Sequence, residues 1–107
     1  MIQVTVSRDH NNITGFEIAG HADSGPYGYD LVCAGVSAVS FGAINAIEEL
    51  CDIEPHIHQS DDGGYIRVDV PSSLADTQFD NVQILLQGML VSLKTIEREY
   101  GEFIQIY

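Results

Sequence analysis

A histidine and a cysteine, His21 and Cys33, stand at the two ends of a loop rich in backbone breakers, Gly25, Pro26 and Gly28. Brought within hydrogen-bond reach, these two residue types make a nucleophile and the base that activates it. The position of Cys33 favours that chemistry. With Asp30 as N-cap, Leu31, Val32 and Cys33 are the first three residues of a helix, and the thiol lies among N–H groups that have no intrahelical partner. Such a place favours an anion: it stabilises a thiolate, and the same amides can hold an oxyanion. Ser37, four residues on, and Asp30, three residues back, share the face of Cys33 at the helix entrance. His21, twelve residues before the cysteine, ends the preceding strand, and a loop of that length can fold it back onto the sulfur.

Taken singly, each residue has a plainer reading. Cys is among the most buried residue types, and one in an Ala/Gly/Ser helix is ordinarily packing. Asp30 is first of all a helix cap, Ser37 a small residue that lets a neighbouring backbone approach, and a histidine at a strand end a polar surface residue.

The combination is more specific. Gly20-His21-Ala22, Gly28-Tyr29-Asp30-Leu31-Val32-Cys33-Ala34 and Val36-Ser37-Ala38 closely resemble the signature of the bacterial ribosomal-processing cysteine protease family, Prp. The resemblance extends over essentially the whole chain: Ile84-Leu85-Leu86-Gln87-Gly88-Met89-Leu90 and residues 99–106 look like that family's second helix and last strand. Leu31, where isoleucine is common, and Val39, where leucine is, are conservative departures. The resemblance implies Cys33 as nucleophile and His21 as base, with Gly20, Asp30 and Ser37 supporting them and Gly25, Tyr27, Gly28 and Tyr29 in a substrate loop. It also implies a basic ribosomal substrate, the N-terminal extension of bacterial large-subunit ribosomal protein twenty-seven, removed so that the mature protein can enter the ribosome. It implies a homodimer, and no metal or organic cofactor.

Two readings from other classes stand beside this one: a non-enzymatic ribosome-assembly or protein-binding module in which Cys33 is only a small core residue, and a thiol hydrolase acting on a small molecule. Selective alkylation of Cys33 over Cys51 at mildly acidic pH separates either enzyme from the binding module. The loop over residues 23–29 is expected to act as a lid, mobile in the free chain, its glycines giving freedom and its tyrosines apolar surface.

The frame must be small: 107 residues make one domain around one core. Apolar residues are 45% and charged residues 19%, a globular composition. Sixteen acidic against four basic residues give a formal charge of −12, which opposes direct nucleic-acid binding and favours a basic protein partner. The N-terminus lacks a basic segment followed by a long apolar run, and no stretch is expected to reach transmembrane length, which points to a cytoplasmic protein and no membrane. Cys33 and Cys51 lie eighteen residues apart on one expected helix, about 27 Å at the helical rise. A disulfide needs Cα atoms within about 7 Å, so Cys51 is expected to be packing.

Hydropathy patterning supplies the elements. Residues 2–7 alternate, and after the turn at residues 9–12 a second strand covers 13–20. A helix over 31–52 is expected to bury Val32, Val36, Val39, Ala43, Ile47 and Leu50, while Ala34, Gly35, Ala38, Gly42 and Ala46 permit close backbone approach. A second hairpin follows, residues 55–60 and 65–70 around Asp61-Asp62-Gly63-Gly64, with His56 and His58 as exposed strand histidines. The second helix, capped by Asp76 or Ser73, carries Phe79, Val82, Leu86, Met89, Leu93, Ile96 and Tyr100 as one stripe, widened by Ile84, Leu85, Leu90 and Val91 toward a partner subunit. Residues 102–107 close the chain as a strand. The expected fold is α+β, a single domain of order ββαββαβ with two helices packed on a β-sheet.

Overall fold

The computed structural model describes residues 1–26 and 30–107. The order is the expected one: β1 (Ile2–Asp9), β2 (Asn12–Ala19), α1 (Leu31–Cys51), β3 (His56–Gln59), β4 (Tyr65–Asp69), α2 (Asp76–Tyr100) and β5 (Ile104–Ile106). The strands form one sheet of order β3-β4-β2-β1-β5, in which β5 runs parallel to β1 and the other pairs are antiparallel. The helices pack on each other, and their apolar faces share a single core with Ile2, Val4, Phe16, Ile18, Ile66 and Val68 of the strands.

A bulge in β2 explains how its side chains serve that core. Ser7 pairs with Gly15 but Arg8 pairs with Ile13, so Thr14 is an extra residue. Side chains alternate along a strand, and one inserted residue lets both Ile13 and Phe16 face inward. The carbonyl of Thr14 accepts from the Val70 N–H at 2.9 Å. The backbone of Ile13 is completed from α2, where the Gln83 amide accepts from the Ile13 N–H and donates to the Ile13 carbonyl, both at 2.7 Å. Replacing Gln83 with alanine leaves two partly buried backbone groups unpaired. A loss of about 1–3 kcal/mol is expected in denaturant unfolding, and a stability unchanged within error would mean that water replaces the amide.

Helix α1 starts at the Asp30 cap and ends where Asp52 takes left-handed angles (φ 55°). Its inward line is Val32, Val36, Ser40, Ile44, Ile47 and Cys51, with Val39 and Ala43 half-buried beside it. Leu50, expected inside, is 73% exposed. The spacings from Ile44 to Ile47 to Cys51 bring the thiol of Cys51 inward in its place, and both cysteines are free. Ser40 is buried because its hydroxyl donates to the Val36 carbonyl at 2.7 Å. Of the small residues, Gly35 lies close under Ile96 of α2, whereas Gly42 faces open space. The expectation about transmembrane length also needs correcting: α1 has 21 residues and is apolar enough, by length and composition, to cross a bilayer. Here its inward face joins the shared core and it packs against α2.

Helix α2 is capped neither by Asp76 nor by Ser73. Ala75 occupies the N-cap without a side-chain acceptor, and Asp76 is the first helical residue, where its charge faces the positive end of the helix dipole. Gln78 joins the two helix ends: its amide accepts from the Ala75 N–H at 3.2 Å and donates to the Cys51 carbonyl, an end group of α1, at 3.1 Å. Val82, Leu86, Met89, Leu90 and Leu93 are buried, and Leu85 and Ile96 pack at the edge of the core. Of the expected widened stripe, Ile84 and Val91 remain largely exposed, and Tyr100 at the helix end is partly so.

Candidate active site

The antiparallel pairing of β2 with β4 brings the end of one strand beside the start of the other, with Ala19 opposite Tyr65. The chain leaves β2 at Gly20, whose φ of +95° suits glycine, and whose missing Cβ would collide with the Met1 carbonyl. The Gly20 N–H donates to the Gly64 carbonyl at 2.8 Å, tying the segment that carries His21 to the β3–β4 turn. Across from this sheet end stands the first turn of α1. Between them is a cleft of about 540 Å³, lined by Gly20, His21, Gly25, Asp30, Cys33 and Ser37 and, farther in, by the apolar side chains Ile18, Val36, Phe41 and Ile66.

The structure thus brings His21 and Cys33 to one cleft, with Gly20, Gly25, Asp30 and Ser37 on its walls. Tyr27, Gly28 and Tyr29 of the expected substrate loop lie outside the described residues, and with them the expectation of a lid. Ser37 is exposed on the helix side of the cleft.

Asp30 is buried, and both of its carboxylate oxygens are engaged. Oδ1 accepts from the Cys33 N–H at 3.0 Å and from the Ser24 hydroxyl, and Oδ2 accepts from the Ser24 N–H at 2.9 Å. The first of these is the expected helix cap. The bonds to Ser24 are new, and they fasten the start of the loop to the helix entrance. The Ser24 hydroxyl, then the Cys33 amide, holds the Asp30 carboxyl well below the usual carboxylate range against the opposing effect of burial.

The thiol departs from the sequence-based expectation. Burial pushes Cys33 up from the ordinary thiol value, and the negative charge of Asp30 adds to this; the Ala22 N–H, which donates to Sγ at 3.2 Å, works the other way. On balance these surroundings favour the protonated thiol over the thiolate. Burial of the sulfur, with the anionic cap beside it as a lesser contribution, outweighs the favourable end of the helix dipole. The Cys33 amide is committed to that cap.

Three contributors were not evident from the sequence. Ala22 acts through its backbone, which no side-chain motif reveals. Ser24 precedes Asp30 by six residues in a loop whose path depends on its breakers. Gly64 lies against the His21 ring: a Cβ built on it would sit 2.7 Å from Nε2 and 3.3 and 3.4 Å from Cε1 and Cδ2. The Gly-Gly pair after Asp61-Asp62 is legible as a turn, but not as a neighbour of a histidine more than forty residues earlier. His56 and His58 are exposed on edge strand β3, as expected.

Similarity to known proteins covers this whole frame. The family model for the cysteine protease Prp matches residues 1–105. The ribosomal processing cysteine protease Prp of Bacillus subtilis (strain 168) is 46% identical over 107 residues, 99% of this chain and 96% of that protein. The crystal structure of the essential ribosomal processing protease Prp from S. aureus with a covalently linked product peptide superposes with a TM-score of 0.88 at 46% identity, covering 99% of this chain and 97% of that one. A second S. aureus Prp structure, with a substrate peptide, gives a TM-score of 0.82 at 44% identity, covering 100% and 98%.

Proposed function

The chain belongs to the cysteine protease Prp family, and from that premise we propose that it is a cytoplasmic endopeptidase. In this reading it removes the N-terminal extension of bacterial large-subunit ribosomal protein twenty-seven, with Cys33 as nucleophile and His21 as base. The observation that carries it is the convergence of both residues on one cleft of about 540 Å³, with a backbone N–H already directed at the sulfur. The covalently linked product peptide of the S. aureus relative supports a covalent route. The charge of −12 suits a basic ribosomal substrate.

In this reading the nucleophile forms in the attack itself. His21 takes the Sγ proton as sulfur attacks the scissile carbonyl carbon, and the Ala22 N–H stabilises the developing thiolate. The carbonyl oxygen becomes an oxyanion facing the first-turn amides of α1. Collapse breaks the C–N bond, His21 returns the proton to the leaving amine, and an acyl-thioester remains. His21 then deprotonates a water that attacks this thioester, releasing the acid and restoring the thiol. Asp30 holds the helix entrance, and Ser37 supports the site from the next turn of α1. Incubation with the extended ribosomal protein, with the cut located by mass spectrometry, tests the reading. No cut above the level of a Cys33→Ala protein would end it.

The proposed assembly is a homodimer. Ile84 and Val91 are 71% and 65% exposed and lie two helical turns apart on one face of α2, an apolar strip that the single chain leaves wet. Light scattering after size exclusion at micromolar concentration is expected to give twice the chain mass of 11.7 kDa. Ile84→Glu with Val91→Glu is expected to return it to the single mass, and a monomer in the unsubstituted protein would dismiss the strip as an interface.

A further inference from the structure

Beyond the residues that the Cys-His reading uses, one contact bears on how the imidazole is held. Gly64 closes the β3–β4 turn with a φ of +77°, and its α-carbon stands so near His21 that a side chain's first atom would press on Nε2 and both flanking carbons. The turn is built to stay there. The Ser60 hydroxyl donates to the Gly63 carbonyl at 2.6 Å, the Gly63 N–H donates to the Ser60 carbonyl at 3.4 Å, and the Gly64 carbonyl receives the Gly20 N–H at 2.8 Å. The last bond fixes the spacing between the wall and the residue just before the histidine. We propose that Gly64 is the positioning residue for His21, a backbone wall at Nε2 whose lack of a side chain lets the imidazole sit at the cleft where Cys33 also opens.

The proposal rests on His21 being the base, but its central test does not. Gly63 makes a matched reference, because it has nearly the same backbone angle, φ +78°, and a Cβ there would meet nothing within 4 Å. Gly63→Ala therefore reports the strain of an L-residue at positive φ, while Gly64→Ala reports that strain together with the clash against the ring. Each is made in the natural background and in His21→Ala, and denaturant midpoints are measured for all. Gly64→Ala is expected to lower the midpoint further than Gly63→Ala when His21 is present, and by the same amount once the imidazole is gone. If Gly64→Ala fails to fold with His21 but folds with His21→Ala, the coupling is shown in its strongest form. Equal loss in the two backgrounds, or failure to fold in both, overturns the proposal. In a folded Gly64→Ala protein the His21 ring resonances should shift, and kcat should fall on the order of a hundredfold with little change in KM, the pattern of a displaced catalytic group. A stability coupling with unchanged kcat would show a wall that does not position the base and would also overturn it. A coupling found in a protein that cleaves nothing would leave Gly64 as the wall and reject the protease reading separately.

Discussion

Cys33→Ala is expected to abolish cleavage of the extended ribosomal protein while leaving the fold intact. The acyl-thioester route has no substitute for the sulfur, and loss of a nucleophile or its base from a coupled unit lowers kcat by on the order of 10⁴-fold or more. The fold should survive because Cys33 is half-buried at the rim of the core, and the cap on its amide does not involve its side chain. His21→Ala is expected to be equally silent in activity. It should cost little stability, since the exposed imidazole lies against the turn and fills no core volume. The double variant should be no worse than either single one, because the two act on one proton and one bond. Cleavage by Cys33→Ala at the natural rate would refute the nucleophile. Cleavage by His21→Ala with an unchanged pH profile would refute the base.

The frame around these residues was largely legible before the structure. Strict alternation in residues 2–7 and the three-and-four spacing of Val82, Leu86, Met89 and Leu93 leave little choice of element, and breakers sit at the expected joints. Periodicity misplaced what depends on the partner. Leu50 fits a helical stripe as well as Cys51 does, and only the position of the sheet and of α2 shows which of them turns inward. The bulge at Thr14 escaped because it is defined by pairing between strands rather than by the strand's own pattern. At the site, the residues whose types carry chemistry could be found by spacing, since Asp30 and Cys33 are near in sequence and on one helix turn. Those acting through backbone, Ala22 on the sulfur and Gly64 at the imidazole, could not. The thiol's proton affinity is hidden from the sequence for a related reason: the helix dipole and the cap can be read there, but the desolvation at Sγ is a property of the assembled cleft.

Asp30 joins stability and chemistry in one carboxylate, and substitutions there separate the two. Asp30→Ala removes the cap on the Cys33 amide and both bonds to Ser24, so lower stability and weaker cleavage are expected together. The stability loss should depend on pH in a defined sense. The folded-state carboxyl lies below its unfolded value of about 3.9, so the stability it contributes is fully present above that pH and is lost as pH falls toward the folded value. The gap in denaturant midpoint between the natural protein and Asp30→Ala should accordingly be constant near neutrality and shrink progressively below about pH 4. A gap that does not change with pH would assign the loss to packing. Asp30→Asn keeps an oxygen to cap Cys33 but removes the charge, and it places an amide where Ser24 needs an acceptor. Because that charge adds to burial in raising the thiol, Cys33 in Asp30→Asn should be alkylated by iodoacetamide at lower pH than in the natural protein. Cys51, buried at the other end of α1, should be unaffected and serve as the internal reference. An alkylation profile at Cys33 that does not move would show that burial alone holds the proton on the sulfur, and that the acidic cap does not set when the nucleophile forms.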